Sequence, residues 1–193
     1  MVHKTHPTDE NYFSGELLIA MPHMEDPRFA RTVIYVCAHT KDGAMGLILN
    51  KFAENINFTD LMEQLDLPVI PNCENIPVHF GGPVQASRGF VLHTADATEE
   101  GSLLIANNIA LTATVDMLRK IANGDGPAQS LLALGYAGWG PGQLDAEIQA
   151  NGWLSAPADH NILFDSSIEI KWTNALQKLG IDVNMLSSNA GHA

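Results

Sequence analysis

The run SLLALGYAGWGPGQLDAE, residues 130–147, decides how this chain is read. Leu131 to Leu134 form the body of a short strand, Ser130 to Tyr136. Four glycines (Gly135, Gly138, Gly140 and Gly142) then fall within eight residues, with Tyr136, Trp139 and Pro141 among them. Glycine at that density marks a backbone that turns sharply or lets another segment come close. A short helix follows, from about Leu144 to Ala150. The stretch is thus a strand-to-helix connection, and the rest of the chain must supply the sheet it joins.

Upstream, GELLIA (15–20) reads as a buried strand that Met21-Pro22 closes. Asp26 as N-cap and Pro27 at the first helical position start a short helical turn. TVIYVCA (32–38) is β-branched and apolar on both faces, which predicts a central strand. Lys41-Asp42-Gly43 turns it into a second strand, AMGLILN (44–50). A helix capped by Thr59 or Asp60 runs to about Leu67, with Asp60 and Glu63 in the manner of a capping box and Leu61, Met62 and Leu65 as its buried stripe. Pro68, Pro71 and Pro77 break the next dozen residues into loop. Strands at 77–80 and 88–94 flank Gly81-Gly82-Pro83. Residues 103–113 are predicted as one strand with an irregularity at Asn107-Asn108. Thr112 or Thr114 caps a helix that buries Val115, Leu118, Ile121 and Ala122 and ends at Gly124.

Downstream, residues 153–155 form a short strand. Ser166 with Glu169 makes a second capping box, opening a helix in which Ile168, Trp172, Ala175, Leu176 and Leu179 recur at helical spacing. Strands cluster with few helices between them, which predicts an α+β fold rather than regular βαβ alternation. Residues 1–14 are expected to be a flexible lead-in, and 15–193 a single domain.

The charge balance narrows function. The formal net charge is −12, and each half of the chain carries −6, so the whole body is acidic. That opposes DNA, RNA and anionic membranes, whose phosphates are met by Lys and Arg. Two cysteines are no disulfide framework and fit a reducing compartment. No apolar run reaches 18 residues, so no membrane span is expected, and the polar first 14 residues lack a signal-peptide pattern.

Several motifs together resemble one bacterial family, AlgH/YqgE. They are GELLIAMP (15–22), DPRFARTV (26–33), HTKDGAMGLILNK (39–51), VHFGGPV (78–84), RGFVLH (88–93), GYAGWGPGQLDAE (135–147), Asn151-Gly152-Trp153 and the closing Gly191-His192-Ala193. The resemblance runs in order from about residue 13 to the end, with Asp145 where many members carry Glu. It implies an α+β fold with a mixed, strongly curled, barrel-like β-sheet and several flanking helices, and a cytoplasmic location. The family's label as a transcriptional regulator comes from a genetic effect on exopolysaccharide production, and the resemblance brings no catalytic residues with it.

Four candidate sites come from the residues themselves. In the glycine-rich turn, Gly138, Trp139, Gly140 and Gly142 stand between strand and helix, where N–H groups face outward and Asp145 follows. Its G-x-G-P-G spacing is neither the dinucleotide fingerprint nor a P-loop, Pro141 lacks a donor, and Asp145 and Glu147 repel phosphate. The alternative is that Tyr136, Trp139 and Trp153 pack over a turn only glycine can make. The second candidate pairs Cys37 with His39 on one strand face, with His79 and His93 as further imidazoles. Its competitor is a buried structural cysteine. The third is the cluster Glu25, Asp26, Arg28 and Arg31, set against capping by Asp26 and surface pairing by the arginines. Hydrolase chemistry is the fourth. It has no G-x-S-x-G or H-E-x-x-H motif, and Asp145 and Glu147, two apart on a helix, point to different faces.

These readings converge on a cytoplasmic, non-catalytic binding or regulatory protein. It would act on transcription indirectly, through a protein or small-molecule partner, with no metal and no cofactor. The alternative is an enzyme or a nucleotide- or small-ligand-binding protein whose pocket lies at Gly135–Glu147, walled by Trp139 and the Gly81-Gly82-Pro83 turn. His39, His93 and Asp145 are its further candidate residues.

Overall fold

The computed structural model describes residues 12–164 and 167–183. Nine strands follow in chain order: β1 (Glu16–Ala20), β2 (Val33–Thr40), β3 (Gly43–Ile48), β4 (Val78–Phe80), β5 (Val84–Thr94), β6 (Leu103–Leu104), β7 (Ile109–Thr112), β8 (Ser130–Trp139) and β9 (Trp153–Pro157). The helices are α1 (Phe58–Gln64), α2 (Val115–Ala122), α3 (Gln143–Gln149), α4 (His160–Phe164) and α5 (Ile168–Lys178). The strands make one sheet in the order β6-β7-β5-β8-β3-β2-β1-β9, with β4 added alongside β8. Every pairing is antiparallel except β4 with β8, so the sheet is mixed, and it curls into a half-barrel.

β8 is the hub, pairing with β3, β4 and β5. The central strands are buried on both faces, which is why they read as unbroken apolar runs. Along β1, Leu17 and Ile19 join a core beneath α4 and α5 with Tyr35, Leu47, Leu92, Trp172 and Leu176. Leu18 and Ala20 join another with Ile34, Val36, Trp139, Leu144 and Trp153 beneath α3. A third cluster, with Phe58, Met62, Met117 and Ile121, seats α1 and α2 on the outer half of β8 and β5. Each fully buried Leu or Ile contributes roughly 1.5–3 kcal/mol of transfer free energy. Two irregularities bend the sheet, one at Val36/Ala38 in β2 and one between Val84 and Gly89 in β5.

The structure corrects several expectations. Asn57, not Thr59 or Asp60, caps α1. Its side chain accepts from the Asp60 N–H while Asp60 reaches back to the Asn57 N–H, so the capping box lies one turn earlier. The helix ends at Gln64, because Asp66 takes a positive φ of 53°. Residues 103–113 form a hairpin, β6 to β7, since Asn107 and Asn108 both adopt the left-handed conformation that Asn tolerates. Thr114 caps α2 by accepting from Met117 N–H; Val115 sits at its first turn, exposed, and Met117 takes its place in the core. β8 continues through Gly138 to Trp139, so the turn proper is only Gly140 to Gly142. Ser166 lies outside the described residues, as do residues 1–11 of the lead-in and Gly191-His192-Ala193. Asp26 opens a turn rather than a helix, accepting from the Arg28 N–H at 3.0 Å.

Candidate functional site

Two stretches that the sequence offers as separate candidates form the walls of one cleft. The loop between β1 and β2 brings Met24, Asp26, Arg28 and Phe29 to one side. The end of β8, helix α3 and the start of β9 bring Gly138, Trp139, Gln143, Glu147 and Trp153 to the other. The cleft has a volume of about 370 Å³.

Side chains outside the cleft rivet the loop in place. Lys51 Nζ donates to the carbonyls of Pro27 at 2.7 Å and Arg28 at 2.9 Å. Asn50 Nδ2 donates to Arg31 O at 2.8 Å, and its Oδ1 accepts from the Val33 N–H at 2.8 Å. Thr32 closes the loop onto Phe29 O at 2.7 Å. Asp26 and Arg28 form a fork, with Nε to Oδ1 at 3.0 Å and an Nη to Oδ2 at 2.7 Å. Those bonds hold the Asp26 carboxyl below its usual range and raise the Arg28 guanidinium.

The opposite wall is built on Glu147. Its Oε2 accepts from the indole N–H of Trp153 at 2.7 Å and of Trp139 at 3.0 Å, and its Oε1 accepts from Gln143 Nε2 at 2.8 Å. Helical spacing places Gln143 and Glu147 on one face of α3, while the rings arrive from two strands that are not neighbours in the sheet. Trp139 and Trp153 meet edge to face, centroids 6.1 Å apart, and Phe29 meets Trp153 in the same manner at 6.0 Å. With both oxygens engaged by three donors, Glu147 acts as a brace and not as a free base.

The other sequence candidates fall elsewhere. Gly140 and Gly142 form the turn and Asp145 lies in the first turn of α3, but none of the three lines the cleft. The Gly140 N–H is taken by Gln143 Oε1 at 2.9 Å, and α3 has only seven residues, so the turn has few donors left for an anion. The Gly81-Gly82-Pro83 turn is no wall of the cleft either; Gly81 and Gly82 press on the backbone of β8 at Gly135 and Tyr136. Arg31 leaves the loop to lie over Trp172, its Cζ 5.4 Å from the ring.

Cys37 and His39 do not share a face. The bulge at Val36/Ala38 makes Cys37 an extra residue and reverses the alternation beyond it. Cys37 packs with Tyr35 in the core beneath α4 and α5, where burial pushes its thiol up to about 12. His39 pairs with Ala44 and faces α3, its Nε2 3.4 Å from Asp145 Oδ2, beneath the rings of Tyr12 and Phe13. Its Nδ1 has no hydrogen-bond partner. Asp145 and Glu147 diverge as their spacing predicts, one toward His39 and one toward the indoles. His93 is fully buried; Nδ1 donates to Thr94 O at 2.7 Å, and in that tautomer Nε2 accepts from Thr112 Oγ1 at 2.8 Å. His79 is likewise buried, its Nδ1 donating to Leu132 O at 3.2 Å. Among the described residues no three His, Cys, Asp or Glu side chains group as a metal site. No helix among them is long and apolar enough to cross a membrane.

The sequence groups Trp139 with Trp153 and Asp26 with Arg28, but nothing in it joins the two pairs. Phe29, Met24 and the bracing role of Glu147 are not among its candidates. The signal available was Glu147 one turn after Gln143 with a tryptophan on either side in sequence, Trp139 eight residues before and Trp153 six after.

The sequence profile of the AlgH-like family matches residues 17–184. A UPF0301 protein of Rhodospirillum rubrum is 53% identical over 184 residues, spanning 95% of this chain and 96% of the relative. A second, from Jannaschia sp., is 57% identical over 182 residues, spanning 93% and 95%. The solution structure of the AlgH protein from Pseudomonas aeruginosa superposes with a TM-score of 0.78 at 43% identity, covering all of both chains. A crystal structure from Corynebacterium diphtheriae shares the fold, with a TM-score of 0.71 at 23% identity over 96% of this chain and 94% of that one.

Proposed function

The chain belongs to the AlgH-like family, and on that footing we propose that it is a cytoplasmic, non-catalytic binding protein whose small-molecule ligand enters the cleft between Arg28 and Trp139. The observation that carries this reading is the brace at Glu147. One carboxylate fixes two tryptophans at right angles while leaving the cleft beside them open. Preformed aromatic walls with a few placed polar groups are the usual make-up of a small-ligand site. The engaged state of Glu147 favours binding over catalysis.

Any effect on transcription is then indirect, through the ligand or a protein partner. The net charge of −12 supports this, because phosphate contacts supply most of the affinity of DNA-binding proteins.

A thermal-shift panel of small metabolites, read together with tryptophan fluorescence, tests the proposal. A ligand at ~100 times its dissociation constant adds about 2.7 kcal/mol of stability. A panel in which no compound shifts either signal overturns the binding reading. Sequence-specific retardation of DNA at nanomolar protein and low salt overturns the indirect route.

A further inference from the structure

Resting on that reading, we propose that the ligand of the cleft is an organic cation, an alkyl ammonium group received by the aromatic faces of Phe29, Trp139 and Trp153 and by the carboxylate of Asp26. Phe29 and Trp139 each stand close to perpendicular to Trp153, at 77° and 80°. Aromatic rings beside a carboxylate suit an ammonium head, because a ring face carries negative potential that attracts a cation. The ionisable groups lining the cleft are Asp26, Glu147 and Arg28, so the lining is negative by one charge. The chain around it is negative as well, which draws cations and holds off anions.

The protein already places a cation there. Arg28 Cζ lies 5.6 Å from the centre of the Phe29 ring while its guanidinium pairs with Asp26. Both partners that an ammonium ligand needs are therefore accessible to a positive group, and Arg28 is a tethered rival for them. Its side chain is 58% exposed, so it can swing out when a ligand arrives. Glu147, engaged by the indoles, keeps the rings in place and adds its charge without giving up its bonds.

Free diamines and lysine side chains of a peptide share this chemistry, and the test separates them. The three indole N–H groups give distinct signals in 1H–15N spectra of the full chain. Trp172, which donates to Ala20 O at 2.8 Å beneath α5, lies apart from the cleft and serves as the internal reference. The probes are 1,5-diaminopentane, Nα-acetyl-lysine amide, 1-pentanol and pentanoate. Saturable movement of the Trp139 and Trp153 signals by the amines, with Trp172 still, is the expected result; the amine that saturates at the lower concentration identifies the source. Arg28→Ala is expected to tighten amine binding about tenfold by removing the rival, and Asp26→Asn to weaken it about tenfold, each near 1.4 kcal/mol. If pentanoate or pentanol moves the two signals and the amines do not, the cation inference fails while the cleft remains a ligand site. If none of the probes moves them, the cation inference fails, and the metabolite panel alone decides the binding reading. Weaker amine binding by Arg28→Ala also overturns the proposal, since it would make Arg28 a helper and not a competitor.

Discussion

Trp153 Nε1 donates to Glu147 Oε2 across 2.7 Å, and the same oxygen accepts from Trp139. Both tryptophans are more than nine-tenths buried. Glu147→Ala therefore strands two buried donors and is expected to cost about 3 kcal/mol, since each orphaned donor costs roughly 1–3 kcal/mol. Glu147→Gln keeps one acceptor oxygen and should cost about half as much. Urea unfolding measures both. An unchanged midpoint for Glu147→Ala would mean that the indoles find other acceptors and that the brace is incidental.

Cys37 should be chemically silent in the folded protein. Its thiol is 2% exposed, and burial moves it up to about 12, so almost none is thiolate at neutral pH. Cys73 is only half-buried. Alkylation at pH 8 is expected to label Cys73 alone, with Cys37 reacting only after denaturation. Mass mapping of the labelled peptides checks this; fast labelling of Cys37 in the native state would reopen the thiol–imidazole reading.

These residues also show what a sequence can and cannot reveal. Strand positions are readable because β1, β2 and β8 are apolar on both faces, with Gly and Pro bounding β1 and β8. The bulge at Cys37 was not readable, because no residue type marks it, and a single extra residue is enough to send His39 to the opposite face. The cap at Asn57 was missed because two plausible caps stand just after it, and only geometry shows which side chain reaches an N–H. The candidate site was legible in fragments. Asp26 and Arg28 announced themselves as a charge pair and Trp139 as part of the glycine-rich turn, but more than a hundred residues separate them. Their meeting depends on β1, β2 and β3 carrying the 21–31 loop around to α3, a matter of sheet order that no local pattern encodes.

His79 predicts a pH dependence with a definite sign. Burial lowers its pKa from 6.5 to about 4, with Lys171 pushing the same way and the bond to Leu132 O opposing. Unfolding returns the ring to its ordinary value. Between those limits the unfolded chain binds more protons, so this contribution is complete above pH 6.5 and is lost as pH falls toward 4. The full effect is about 3 kcal/mol. His79→Asn keeps a donor near the place of Nδ1 and cannot titrate. The parent's stability should fall more steeply than the variant's across this window in urea titrations, and parallel curves would show that His79 takes up its proton without unfolding.

Two glycines of the motif regions should respond very differently to alanine. Gly82 has φ 151°, and a Cβ there would run into the backbone of Tyr136 and Ala137 where the β4–β5 turn presses on β8. Neither partner is a flexible side chain, so strands must separate; a loss of about 3–4 kcal/mol is expected for Gly82→Ala, in the range of severe core disruptions. Gly142 also has a positive φ, 69°, as the residue before α3, but a Cβ there meets nothing within 4 Å. Gly142→Ala then carries only the left-handed backbone cost, roughly 1–2 kcal/mol, and leaves the cleft's walls in place. Unfolding curves of the two variants, with the indole N–H signals as a readout of the cleft, separate the cases. Comparable losses would mean that Gly142 is held by contacts beyond its own backbone geometry.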